Sequence, residues 1–234
     1  MPTIDTLNAL LTHELKDLFS AETQIIEALP GMIKAASSAE LKKSLQQHLA
    51  VTKEQKKRLE KIQDLLGEEK LAPEKKGFFA NLFRSDEGEQ HCKAMEGLVK
   101  EGNTLLKEDM TPEVMDAAII AAAQKVEHYE ISSYGTARAF ALQLQLNKVA
   151  DLLEQTLNEE YEANDSLTTL ALSKVNLQAG TEIQSSKAAK PAAKKSTDKT
   201  PKASPKKAKA ASAKKSAAAK KSPAKSSIKK AKTG

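Results

Sequence analysis

The chain has 234 residues, with 37 Lys and Arg against 31 Asp and Glu, and a formal net charge of +6. That sum joins two opposite halves: residues 181–234 carry 17 Lys against Glu182 and Asp198, a net of +15, which leaves 20 basic and 29 acidic side chains, a net of −9, in residues 1–180. The single cysteine, Cys92, excludes a disulfide framework and a cysteine-only metal site, and no run of about 18 apolar residues marks a membrane span.

Met1-Pro2-Thr3-Ile4-Asp5 shows neither a basic n-region nor an apolar h-region, so a cytoplasmic address is expected. A body of about 170 residues is long enough to enclose one core. The basic arm, almost entirely Lys, Ala, Ser, Pro and Thr, has too little apolar surface to offset its chain entropy. The expected organisation is a folded domain over residues 1–178 and a disordered Lys-rich arm over 179–234.

In chain order, Leu7, Leu11, Leu15, Leu18, Ile25 and Leu29 recur at helical spacing and predict a first helix over 3–29, stopped by Pro30 and Gly31. Ser37 followed by Glu40 reads as a capping box ahead of a second stripe, Leu41, Leu45, Leu59, Ile62 and Leu66, which ends at Gly67. Residues 67–90 contain Gly67, Pro73, Gly77 and Gly88 around an apolar island, Phe78, Phe79, Leu82 and Phe83, expected to pack on the core, with a partner as the alternative. A short helix follows at about 90–107. Thr111 as cap, Pro112 at the first helical position and Glu113 at the positive helix end begin a long helix reaching about residue 145. Asn147 opens the last helix, carried by Val149, Leu153, Leu157, Leu167 and Leu170 to about residue 173.

No segment alternates as a strand does. The fold class predicted is all-α: a ferritin-like antiparallel four-helix bundle with an additional short helix in the connection between the second and third long helices.

The informative residues are the polar ones that interrupt these apolar stripes. Glu22 falls between Leu18 and Ile25; His48, Thr52 and Gln55 fall between Leu45 and Leu59; Glu127 and Glu130, three apart, are bracketed by Ile119, Ala123, Val126, Tyr134 and Ala137. On the last helix Leu153, Thr156, Asn164 and Leu167 turn Glu160, rather than Glu159, inward. Ionised carboxylates gathered in a low-dielectric core must take up protons, find cations or bind metal, and the stripes hold too little Lys or Arg to neutralise them. Oxygen-rich ligation with an imidazole suits iron, as a di-iron centre, or manganese. The proposed ligands are Glu22, His48, Glu127, Glu130 and Glu160. The alternative is that the stripes are rotated and these glutamates are solvated.

The stretches SAETQIIEALP (20–30), CKAMEGLVKEGN (92–103), DAAIIAAAQKVEHYEISSYGTA (116–137) and LLEQTLNEE (152–160) resemble the YciE/YciF family of bacterial stress proteins over about residues 3–178. The resemblance implies a ferritin-like fold, usually dimeric, a di-metal centre inside the bundle and induction under stress. It carries the family's acidic and imidazole positions onto Glu22, His48, the Glu127-His128-Tyr129-Glu130 motif and the Glu159-Glu160 pair. Two positions depart from the pattern: Val51 stands where an acidic residue is usual, with Glu54 a poor substitute, and Asn164 replaces another acid. His13 and His91 read as surface residues, Tyr129 and Tyr134 as core, and Cys92 as a small buried residue.

In the arm, lysines occur singly or in pairs, interrupted by Pro191, Pro201, Pro205 and Pro223. It resembles a histone H1 or bacterial H1-like tail, including Ser204-Pro205-Lys206-Lys207 and Ser222-Pro223-Ala224-Lys225. Closely spaced ammonium groups displace the counterions condensed on a polyphosphate. Lys194, Lys195, Lys202, Lys206, Lys207, Lys214, Lys215, Lys220, Lys221, Lys229 and Lys230 are therefore the candidate contacts to double-stranded DNA, without sequence preference. Past residue 190 the single large apolar residue is Ile228, which disfavours membrane insertion.

Two functions fit this sequence. One is a DNA-associated, nucleoid-located stress protein whose metal centre oxidises or sequesters iron, with ferroxidase-like or peroxide-consuming activity. The other is a non-enzymatic DNA-bridging protein whose bundle only dimerises.

Overall fold

The apolar stripes close on one another as long helices. The computed structural model describes residues 4–68 and 90–181. In it α1 spans Leu7–Ala35, α2 Ala39–Glu68, α3 Lys93–Leu105, α4 Pro112–Gln143 and α5 Asn147–Leu170. The last helix continues through a π-helical turn, Ala171–Val175, into α-helical residues 176–181. The described residues form no strand, so the chain is all-α. The apolar island Phe78, Phe79, Leu82 and Phe83, and the arm lysines from Lys194 to Lys230, lie outside the described residues.

Short links at 36–38 and 144–146 make α1/α2 and α4/α5 hairpins. The hairpins pack side by side, α1 on α4 and α2 on α5, while α3 lies across α1 and α4. Gln145 turns the second link in a left-handed conformation, φ 61°. At the start of α3 the Cys92 thiol caps the Met95 N–H at 3.4 Å. The Cys92 N–H meets Ser20 Oγ at 3.0 Å, which ties this short helix to α1.

Several expected boundaries move: α1 begins at Leu7 rather than residue 3, and the helix expected to end near residue 173 runs on to residue 181. Pro30 does not stop α1: it sits exposed inside the helix, and the chain continues to Ala35 because Met32 and Ala36 beyond it are buried. The lost Pro30 N–H is outweighed by that apolar burial. The α2 cap is Ser38 rather than Ser37. Its hydroxyl accepts from the Leu41 N–H at 3.3 Å and donates to Glu40 at 3.1 Å. The preceding N–H groups are claimed by α4: Asp116 accepts from the Ser37 N–H at 2.6 Å and the Ser38 N–H at 2.8 Å.

The core divides into two apolar clusters. One holds Ile25, Leu29, Leu41, Leu45, Ile119, Ala123 and Leu167; the other holds Leu11, Leu15, Leu18, Leu59, Ile62, Tyr134 and Leu153. Each long helix crosses from one cluster to the other at mid-length. Apart from Thr12 and Asp116, the buried polar residues of the described chain stand at those crossings: Glu22 on α1, Thr52 and Gln55 on α2, Glu127 and Glu130 on α4, Thr156 and Glu160 on α5. The bundle is two greasy ends with a polar layer between them.

Asp116 joins the hairpins by two charge-assisted bonds, each worth about 1.5–3 kcal/mol. Asp116→Ala is expected to destabilise the fold by about 2–4 kcal/mol, seen as a lowered urea midpoint at unchanged slope. A loss below about 0.5 kcal/mol would show the contact to be incidental.

Candidate metal centre

Four of the five proposed ligands meet. One ligand atom from each of His48, Glu127, Glu130 and Glu160 lies within 4.8 Å of the others. Helical spacing brings this about: Glu127 and Glu130 are one turn apart on α4, and His48 and Glu160 come from facing helices of the two hairpins. Glu22 and Glu160 are 0% exposed, Glu130 1% and Glu127 2%. His48 Nε2 stands 3.4 Å from Glu127 Oε1. Glu22 is outside that group of four; the Tyr134 hydroxyl donates to one of its oxygens, and its charge acts on Glu127 and Glu130.

Around this layer stand residues that reading the stripes did not assign a role. The Gln55 amide donates to Glu160 and, at 3.1 Å, to Glu159. Arg58, whose side chain is 10% exposed, holds Glu159 through both guanidinium nitrogens at 2.8 and 2.9 Å and reaches Thr156 Oγ1 at 2.6 Å. The expected shortage of cations thus holds for the interior: this guanidinium pairs with Glu159 at the edge of the layer and only softens the field on Glu22 and Glu160. The available signal was that Arg58 follows Gln55 by one helical turn.

The other motif positions separate. His128 is exposed, and Tyr129 donates to Asp17, its oxygen 3.0 Å from Cys92 Sγ. Val51 is 36% exposed, so the position where an acid is usual lies at the bundle surface rather than in the layer. Glu54 is exposed and paired with Lys57 at 2.7 Å. Asn164 accepts from Gln124 at 3.2 Å. His13 and His91 are exposed, and Tyr134 and Cys92 are buried, as expected.

Burial dominates the electrostatics. It drives the carboxyls of Glu22, Glu127 and Glu130 well above their ordinary range, and repulsion from Glu160 adds to each. Glu160 is raised by burial to about 7, held there by the opposing hydrogen bonds from Glu127 and Gln55. Burial also pushes the His48 imidazole down to about 4. The close approach of His48 to Glu127 is consequently a contact between neutral groups, since the low-dielectric layer disfavours charge on both.

The fit to a metal ion rests on atoms without partners. Glu22 Oε2, His48 Nε2, Glu127 Oε2, both Glu130 oxygens and Glu160 Oε2 are buried with no hydrogen bond. Buried polar atoms ordinarily find partners. A divalent cation would give partners to those of His48, Glu127, Glu130 and Glu160, and three carboxylates with one imidazole match the preference of iron and manganese.

A helical bundle with a carboxylate-rich layer at mid-length is a ferritin-like protein by architecture. The chain belongs to the DUF892 family, whose model, a domain of unknown function, matches residues 6–180. It is 38% identical to protein YciF of Escherichia coli over 174 residues, which cover 74% of this chain and 95% of that protein. The crystal structure of the E. coli stress protein YciF superposes with a TM-score of 0.64, covering 74% of this chain and 99% of that one. YcfI of Rhodopseudomonas palustris matches with a TM-score of 0.61 and 36% identity over 72% of this chain and 98% of that one. About a quarter of this chain has no counterpart in these relatives, and the family match stops at residue 180, before the Lys-rich stretch.

These shifts set a pH dependence for the metal-free protein. Carboxyls with raised folded values stabilise below their ordinary 4.5 and lose that contribution as pH climbs through the folded value, about 7 for Glu160. His48, lowered from 6.5 to about 4, works the other way and gains stability as pH rises to 6.5. The two trends oppose each other below pH 6.5, and above it the carboxyls act alone. The melting temperature without metal should fall between about pH 6.5 and 8, with a shallower slope in Glu160→Gln. A melting temperature that rises over this interval would contradict the buried neutral layer.

Proposed function

We propose that this protein is a stress-response metalloprotein whose bundle binds iron or manganese and whose arm tethers it to DNA, limiting oxidative damage there. The reading is carried by one observation, the cluster of buried and unpartnered oxygens around His48. His48, Glu127, Glu130 and Glu160 would hold a first ion, and Glu22, steadied by Tyr134, with the remaining Glu130 oxygen would serve a second. Bound iron would supply electrons to peroxide or oxygen. The chain's own part is to hold the ligands ready, exclude bulk water through the two apolar clusters, and take up protons when the ion leaves. YciF is described as a stress protein, which supports the physiological setting.

Metal content decides this. Full-length protein loaded anaerobically with Fe(II) should retain about one to two ions per chain, and Glu127→Ala with Glu130→Ala should lose most of that. Retention well below one ion, unaltered by the double substitution, would remove the metal and its chemistry together.

The arm's role follows from charge. With about 6–10 lysines touching phosphate, affinity for duplex DNA should drop by about 10³ to 10⁵ between 50 and 200 mM salt, with little dependence on sequence. A gel-shift titration of the full chain against a chain ending at residue 180 tests it. Equal affinity in the two would place DNA binding elsewhere or nowhere.

A second reading, a non-enzymatic protein that dimerises and bridges DNA, is favoured by α2, which contributes His48, Thr52 and Gln55 to the layer but no carboxylate. YcfI is described as a candidate structural protein, in the same sense. This reading predicts that metal removal leaves both the oligomeric state and DNA compaction unchanged.

A further inference from the structure

A small cavity touches the carboxylate layer from one side. Its volume is about 20 Å³, and its wall combines Met32 of α1, Val99 of α3, and Ala123 and Val126 of α4 with two residues of the ligand group, His48 and Glu127. On this measure about 10–15 Å³ admits one water-sized guest. α3 closes over this part of the bundle because Gly102 lets it approach: a Cβ there would come within 3.2 Å of Met32 Cε and 3.7 Å of Ala122 Cβ.

We infer that this cavity is a docking site for one dioxygen-sized apolar molecule held against the metal layer. The inference rests on the metal reading above and narrows it, since it names dioxygen rather than peroxide as the oxidant that the chain admits on this side. A water needs two to four polar partners to settle in such a space. The polar residues in the wall are His48 and Glu127, and both belong to the group that a bound ion engages. In the loaded protein the remaining wall is methyl, methylene and thioether surface. Hydrogen peroxide, with two O–H donors, would leave its hydration behind on entering and find no hydrogen-bond partner in the apolar part of the wall. Dioxygen forfeits no hydrogen bond there. The small side chain of Ala123, and of Ala28 on α1, keeps the space open.

Xenon, an apolar guest somewhat larger than dioxygen, tests the cavity without metal chemistry. In methyl NMR spectra of the full-length protein under xenon pressure, saturable shifts are expected at Ala28, Val99, Ala123 and Val126, and Ala123→Val should abolish them. Shifts that do not saturate, or that fall elsewhere, overturn the site. In the Fe(II)-loaded protein, Ala123→Val should slow iron oxidation by dioxygen about tenfold and leave oxidation by hydrogen peroxide within about twofold. Equal slowing with both oxidants, or none with either, overturns selective admission. Ala28→Val, on a different helix, repeats the experiment should Ala123→Val fail to fold. If the protein takes up no iron, the metal reading falls, while the xenon result still decides whether the cavity binds an apolar guest.

Discussion

The constraint on which this structure turns is the enclosure of four carboxyl groups between two apolar clusters. Moving one ionised carboxylate into such a medium is prohibitive, and a second within a few ångströms makes it worse. Two states of the layer avoid that cost: one in which protons neutralise the acids and, on the reading proposed above, one in which a bound cation would. The raised carboxyls of Glu22, Glu127 and Glu130 and the lowered imidazole of His48 describe the first state. They also set the terms of the second, because an ion that binds must displace those protons and so competes better as pH rises. An apolar layer in the same place would give a more stable bundle. Keeping acids there is a departure from local consistency, of the kind that marks functional positions.

The surrounding residues fix where those acids lie. Tyr134 fixes Glu22, Gln55 fixes Glu160, and Arg58 draws Glu159 outward, so that of the adjacent acidic pair only Glu160 enters the layer. At one end, Asp116 couples the start of α2 to α4. Because His48 stands on α2 and Glu127 on α4, that coupling between the hairpins also bears on the approach of the two ligands. The supporting contacts are long-range in sequence and short in space, as a pre-arranged site requires.

Most of this was legible from periodicity alone. A 3.6-residue repeat identifies the inward face, so a Glu that replaces a Leu on that face is conspicuous; Glu22, Glu127, Glu130 and Glu160 are all such substitutions. Periodicity was silent on what depends on contacts between helices. Pro30 reads as a stop because its lost N–H is local, whereas the burial of Met32 that overrides it is not. Ser37 and Ser38 are equivalent caps on paper, and Asp116, seventy-nine residues from Ser37, decides between them. Arg58 stands on a Lys-rich helix, where the sequence alone gives one more cation no distinction. The Val51 departure seemed to weaken the site, but the helix turns that position toward the surface, and α2 faces the layer through His48, Thr52 and Gln55.

Charge separation along the chain links the two parts of the proposal. Residues 1–180 carry a net of −9, so phosphate repels the family's domain, and on the reading proposed above any affinity for DNA must come from the +15 beyond it. The family match ends at residue 180, before that stretch. An acidic body held near DNA also has a local consequence. Phosphates concentrate divalent cations around the duplex, and an ion leaving that atmosphere would meet a body whose net of −9 attracts it and whose interior holds unpartnered oxygens. On the proposed reading, tether and bundle would be complementary: one would supply proximity to the place where iron is most harmful, and the other the carboxylates that withdraw it.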